Sequence, residues 1–250
     1  MAVRGSRCRV RQRVAHPPGL PSPLGGDVAK VTLTFDNGPE PEVTNFVLDV
    51  LAEHQVLTSF FVIGNKLDAL GARDSLKRAR EAGHWIGNHS YTHTLSLGDT
   101  DDPGAFDREV TRTKEALGDL ATPGNLFRPY CNAGIIDHRV FRKAHIAKLE
   151  AGGYTVVLFD SAVWDWEDAE AWIDRAVGEI AKRPWTTLVL HDIVGFPPGV
   201  VTNGMRNLDR FLRLLASEGH EVVQEIEPSS MPMVEGKLQK SMDHLVWEAR

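Results

Sequence analysis

The chain has 250 residues, 42% of them hydrophobic, enough for one large domain with a real core. A formal net charge of −6 argues against a general nucleic-acid binder, and no apolar run approaches the length that spans a membrane. The two cysteines, Cys8 and Cys131, cannot make a disulfide framework.

Residues 1–26 carry five arginines and no acid, and lack the apolar core of a secretory signal peptide. Pro17, Pro18, Pro21 and Pro23, with Gly19, Gly25 and Gly26, resist regular structure. Residues 1–27 are therefore expected to form a disordered arm, and the default location is cytoplasmic. Val31, Leu33 and Phe35 then alternate with Thr32 and Thr34, the period of a strand with one buried face. This strand ends in Asp36-Asn37-Gly38-Pro39, which favours a turn. Val43, Phe46, Val47, Val50 and Leu51 follow at helical spacing. Thr58–Gly64 reads as a second, buried strand, Leu67–Ala82 as a charged helix, and His84–Asn88 as a third strand. The third strand runs into His89-Ser90-Tyr91-Thr92-His93. An acidic loop, Asp99–Asp102, precedes a helix to about Leu120, and Leu126-Phe127 leads into Arg128-Pro129-Tyr130.

Asp137–Ala151 is expected as a helix closed by Gly152-Gly153, and Tyr154–Phe159 as a strand ending at Asp160. A loop with Trp164-Asp165-Trp166 precedes an amphipathic helix marked by Trp172, Ile173, Ala176, Val177 and Ile180. Thr186–Leu190 is a strand ending at His191-Asp192. After a Pro/Gly-rich loop come a helix (Leu208, Phe211, Leu212, Leu215) and a strand (His220–Ile226), with a tail from Pro228. Strand and helix thus alternate about seven times, which argues for an α/β domain with a parallel sheet over residues 28–227. The exposed faces show no self-association stripe, and the oligomeric state stays open.

Polar residues recur where strands end: Asp36, His89, Arg128, Asp165 and His191. In a barrel such residues converge on one face. His89 and His93 are four apart, a spacing that lets two imidazoles meet one metal ion, and also one met in surface histidine pairs. Asp36 is a candidate general base, or a turn-forming residue; Asn37 offers an amide oxygen as a third ligand. His191 is a candidate general acid, with Asp165 to keep it oriented and protonated. Arg128 is placed to hold Asp36 or to position substrate. Trp164, Trp166 and Tyr130 offer aromatic faces for a sugar ring or for the core. Cys131 reads as a packing residue.

In this order, TFDNGP (Thr34–Pro39), HSYTH (His89–His93), FRPY (Phe127–Tyr130), Asp165-Trp166 and LVLHD (Leu188–Asp192) resemble the motifs of the polysaccharide deacetylase family, carbohydrate esterase family four. The match spans about residues 28–226. It implies a distorted (β/α)-barrel of about seven parallel strands in a single domain. It also implies a divalent metal, often zinc, and hydrolysis of the acetamido group of an N-acetylated carbohydrate. Carried over by position, Asp36 is the base, and Asn37, His89 and His93 are the metal ligands. Arg128 supports Asp36, Asp165 supports the acid His191, Tyr130 lies where a backbone N–H meets the oxyanion, and Trp166 lines the substrate pocket. The chain departs from the motifs in three places. Asn37 replaces the usual Asp ligand, which weakens metal affinity. Ala162 stands where the first Asp of D-x-x-D-W is expected. Cys131 follows Tyr130 where a glycine is common. A metal-free amidohydrolase acting on a small cyclic amide or ureide, and a non-catalytic carbohydrate-binding homologue, are the alternatives.

Overall fold

The fold grows from a strand that is buried almost from end to end. The structure, a computed structural model, describes residues 28–196 and 199–247; the expected arm at 1–27 lies outside the described residues. Its first elements are β1 (Lys30–Asp36), α1 (Pro41–Glu53), β2 (Ser59–Val62), α2 (Ala72–Ala82), β3 (Trp85–Asn88), α3 (Arg112–Leu117), β4 (Leu126–Phe127) and α4 (Lys143–Ala151). There follow β5 (Thr155–Val156), β6 (Ser161–Ala162), α5 (Ala171–Ile180), β7 (Trp185–His191), α6 (Leu208–Ser217), β8 (Glu221–Val223), β9 (Met233–Val234) and β10 (Lys237–Leu238). Among the described residues no helix is long and apolar enough to cross a membrane.

The sheet runs β10-β9-β5-β4-β3-β2-β1-β7-β6, with β8 also paired to β1. Every pair from β5 round to β6 is parallel, as crossover helices require. This seven-strand parallel run, curled into a half-barrel in one α/β domain, is the expected distorted (β/α)-barrel. β1 lies at its centre because both its faces are apolar or hydrogen-bonded: Val31, Leu33 and Phe35 face α1, α5 and α6, and Thr34 Oγ1 bonds to the Leu188 carbonyl. The path is open between β5 and β6, yet residues 157–160 carry the chain across the gap. Val157 N–H bonds to the Phe127 carbonyl on one side and Asp160 N–H to the Thr187 carbonyl on the other. For that reason only Thr155–Val156 of the expected 154–159 strand pairs as a strand.

Three other expectations shift. On α1 the buried stripe includes Thr44 and Leu48, while Phe46 faces out, because Thr44 is drawn inward by a hydrogen bond to Asp192. α2 begins at Ala72, after Gly71 at φ 81°, and not at Leu67. The helix expected from Asp137 begins at Lys143, since Asp137 accepts from the Arg139 amide in a tight turn and Phe141 pairs with Val246.

That last pairing shows that the segment from Pro228 is no tail. Met233, Met242, Leu245 and Val246 join Phe127, Phe141, Leu149, Tyr154 and Val156 in a second core cluster. β9 extends the sheet antiparallel from β5, and Phe141 and Trp247 exchange backbone bonds with the segment at Leu245 and Phe141. The physical cause is the apolar face of β4 and β5, which α1, α5 and α6 do not reach. Leu245→Ala should therefore cost about 2–5 kcal/mol in urea unfolding; an unchanged midpoint would show that this segment lies outside the cooperative unit.

Candidate active site

β1 delivers Asp36 to the end of the sheet, and β4 delivers Arg128 beside it. Arg128 is wholly buried and its Nη1 donates to Asp36 Oδ1 at 2.7 Å and to Thr34 Oγ1 at 2.7 Å. Nε and Nη2 donate to the Val157 and Leu158 carbonyls, and the guanidinium lies 4.1 Å from the Phe61 ring centroid. The charge is thus desolvated, but each of its three nitrogens is hydrogen-bonded, the condition under which a buried ion pair is tolerable. Asn37 follows in the left-handed region, φ 72°, which Asn tolerates better than most residues. At Gly38 a Cβ would run into the carboxylate of buried Asp192, so the turn needs glycine there. Burial pushes Asp192 up to about 7, against the hydrogen bond it takes from Thr44.

The segment after β3 carries the two histidines. His89 Nδ1 lies 2.9 Å from the Arg128 carbonyl, which fixes the proton on Nδ1 and leaves Nε2 as a lone pair, 3.4 Å from Asp36 Oδ2. His93 stands beside it, ring centroids 4.8 Å apart, with the Tyr130 ring edge-on at 4.6 Å. Burial lowers the pKa of both, and for His93 the neighbouring His89, His191 and Lys66 help push it down to about 2. Both imidazoles are neutral at physiological pH, as metal ligands must be.

β7 brings His191 alongside, in direct register with Asp36 on β1. Asp165 holds it twice: Oδ2 accepts from the His191 backbone N–H at 2.9 Å, and Oδ1 lies 2.8 Å from Nδ1. Burial works against the charged imidazole, but the Asp165 charge and hydrogen bond, with Asp36 beyond, raise its pKa above the ordinary value. The Trp166 ring packs edge-on at 4.6 Å. Nδ1 is committed to Asp165, so Nε2 is the nitrogen left to carry a proton to a reacting group.

Asp36, Asn37, His89, His93, Tyr130, Trp166 and His191 border one cavity of about 190 Å³, lined also by Cys131, Asn132, Gly134, Phe159, Ala162, Trp164, Glu167 and Phe196 among others. Arg128 and Asp165 stand behind Asp36 and His191 instead of facing the cavity. Burial pushes the Cys131 thiol up to about 12, in keeping with a packing role. Ala162 brings no carboxylate to the wall, which Phe159, Trp164, Trp166 and Phe196 also line, with Glu167. Phe159 and Phe196 went unread in sequence. Phe159 ends a buried apolar run and Phe196 sits in a Pro/Gly-rich loop, so neither carries a local signal. Four of the non-glycine residues with positive φ, Asn37, Ser90, His93 and Trp164, belong to or border this site. Backbone strain of that kind gathers where function requires a fixed geometry.

The family profile described as polysaccharide deacetylase matches residues 26–150. A chitooligosaccharide deacetylase of Rhizobium leguminosarum bv. trifolii is 32% identical over 180 residues, 72% of this chain and 78% of that protein. The chain belongs to the polysaccharide deacetylase family. Membership makes it a deacetylase-type hydrolase, the class its ordered motifs implied. A peptidoglycan-N-acetylglucosamine deacetylase of Bacillus cereus is 37% identical over 197 residues, 78% of this chain and 66% of that protein. Among solved structures, a peptidoglycan N-acetylglucosamine deacetylase bound to a hydroxamate-type benzamide superposes with TM-score 0.65 at 25% identity, covering 86% of this chain and 92% of that one. A family 4 acetyl xylan esterase from Clostridium thermocellum, in complex with a cobalt ion, gives TM-score 0.61 at 25% identity over 78% of this chain and 87% of that one.

The donor set here fits the divalent cation that the family implies. Asn37 Oδ1 is buried and has no hydrogen-bond partner, His89 Nε2 is free of any donor, and the His93 ring makes no hydrogen bond among the described residues. Among the described residues no three His, Cys, Asp or Glu side chains converge as a metal centre; the third donor is a neutral amide oxygen. Removing the cation of the buried pair should be severe for the fold as well as the site. Arg128→Met leaves Asp36 uncompensated and should cost about 3–5 kcal/mol in chemical denaturation. A loss below about 1 kcal/mol would mean that the fold does not depend on this pair.

Proposed function

We propose that the chain hydrolyses the acetamido group of an N-acetylated amino sugar in an oligosaccharide or polysaccharide, with Asp36 as base and His191 as acid. One observation carries this reading. Asp36 and His191 occupy register-paired positions on adjacent parallel strands, each held from behind by its own buried counter-charge, Arg128 at 2.7 Å and Asp165 at 2.8 Å. Arg128 donates to the Asp36 carboxylate from behind. At His191 burial opposes the charged imidazole, but the Asp165 charge and hydrogen bond outweigh it and raise the pKa. A proton acceptor and a proton donor therefore face one cavity together, the arrangement that general acid–base hydrolysis of an amide needs.

Asp36 would take a proton from the attacking water through Oδ2, the oxygen that Arg128 leaves unbonded. His191 would deliver a proton from Nε2 to the departing nitrogen, so that the sugar leaves as an amine and not as an unstable amide anion. The Tyr130 backbone N–H, which donates to no acceptor among the described residues, is available to the oxyanion. Trp166, Trp164 and Phe196 border the cavity and offer flat apolar faces to a pyranose ring. Asn37, His89 and His93 would hold the divalent cation, with zinc the choice that suits two imidazoles. When bound, such a cation polarises the carbonyl and makes water more acidic.

Asp36→Ala should lower acetate release from chitooligosaccharides by about 10²- to 10⁴-fold; acetate release at the wild-type rate would rule out Asp36 as base. Calorimetric titration of metal-stripped protein with Zn²⁺ should show one site that His89→Ala loses. Asn37→Asp should tighten that site by about tenfold, roughly 1.4 kcal/mol, because a charge replaces a dipole. Equal affinity in both proteins would show that residue 37 is no ligand.

A further inference from the structure

Both histidines sit on a segment that its own sequence does not hold in place. Ser90 and His93 are left-handed, φ 65° and 57°, without being glycine. Between them the backbone N–H groups of Tyr91 and Thr92 point the same way and find no acceptor within the loop. Consecutive N–H groups so arranged form a concavity for an anion. Here the anion belongs to the chain. Glu109 Oε2 accepts from Tyr91 N at 3.0 Å and from Thr92 N at 2.9 Å, and Oε1 accepts from Thr92 Oγ1 at 2.8 Å. Glu109 is 6% exposed, and no cationic side chain pairs with it among the described residues. A buried carboxylate without a counter-ion is tolerable only because these three donors replace its water.

The helix that presents Glu109 is also unusual. Asp107–Thr111 is a π-helical turn leading into α3, a feature that gathers at functional sites. Its Val110 carbonyl accepts from Asn88 Nδ2 at 2.8 Å, and Asn88 Oδ1 in turn accepts from Ser90 N at 2.9 Å. Arg112, one residue beyond the turn, lies over the Tyr91 ring at 3.7 Å. On the other side, the Ser90 and Tyr91 carbonyls accept from Gly64 and Asn65. The His89–His93 segment is thus clamped between two elements, and among the described residues Glu109 is the single charged side chain in the clamp that bonds to its backbone.

We infer that Glu109 is a positioning residue, which sets the spacing of His89 and His93 by holding the Tyr91 and Thr92 amides between them. The inference rests on the proposed cation site for its consequence, not for its geometry. Glu109 bonds to neither ring; it acts through the backbone that carries them. A carboxylate suits the site because three donors meet its two oxygens, both backbone N–H groups on Oε2 and the Thr92 hydroxyl on Oε1. Glutamine keeps the volume and can turn its oxygen to the two N–H groups and its NH₂ to Thr92 Oγ1, but it replaces charge-assisted bonds with weaker neutral ones. Alanine removes all three bonds.

The test uses the full chain, metal-stripped, as wild type, Glu109→Gln and Glu109→Ala. Amide hydrogen exchange should rise at residues 90–93 in both variants, more in Glu109→Ala, while β1 and β7 keep wild-type protection. Zn²⁺ affinity by calorimetry should fall by about 10- to 100-fold, the effect usual for groups that orient metal ligands, with Glu109→Gln the milder. If Glu109→Ala does not fold, Glu109→Gln alone decides. Unchanged exchange at 90–93, or wild-type Zn²⁺ affinity in both variants, overturns the inference. A wild-type chain that binds no Zn²⁺ overturns the cation reading alone, because the exchange comparison still decides whether Glu109 sets the loop.

Discussion

Arg128 and Asp36 form the interaction on which the site depends. Neither charge would survive burial alone, and each is buried because the other is there. The pair also does mechanical service. Its donors reach β1 through Asp36 and Thr34, and the strand-end segment after β5 through the Val157 and Leu158 carbonyls. A flat sheet would leave these groups too far apart, since β2 and β3 lie between β1 and β4. Curling the sheet brings them together, and the curl forms the concave end in which the cavity lies.

Two kinds of order meet there. Asp36 and His191 are fixed by strand register, the most rigid relation a parallel sheet offers. His89 and His93 are fixed by a loop in disfavoured backbone conformations, held by side chains from outside it. The proposed acid and base therefore sit on the frame, and the candidate cation ligands on a segment whose shape depends on its neighbours. Asp192 extends the frame on the far side of the Asn37 turn, where its carboxylate fills the space that Gly38 leaves.

The sequence made much of this legible, for a physical reason. Alternation in β1, apolar runs in β2 and β7, and helical spacing in α5 and α6 are local signals, and the strand ends named the polar residues. Asp36, Arg128 and His191 could be read because each follows an apolar stretch directly, and His89 and Asp165 because each stands in a short motif close to one. What escaped depends on distant partners. Leu245 and Val246 carry no period, and are buried because Phe141 and β5 lack another cover. Glu109 lies in a charged stretch, DREVTRTKEAL, that reads as a solvated helix face. Only the π-helical turn and the loop above it turn that residue inward. The helix expected from Asp137 failed in the same way, since its first turns are claimed by a contact more than a hundred residues away.

The pairing of Phe141 with Val246 and of Asp36 with His191 has a bearing on how the protein is made. During synthesis β1 emerges among the first elements, yet its register partner β7 is complete only at residue 191. The cluster beneath Phe127, next in sequence to Arg128, is filled only at residues 245–246. A growing chain on the ribosome can stack α1 on β1 and β2, but it holds Asp36 without His191 until residue 191 has emerged, and Phe127 without its cover until residues 245–246 follow. The candidate site is accordingly assembled long after the strand that begins it.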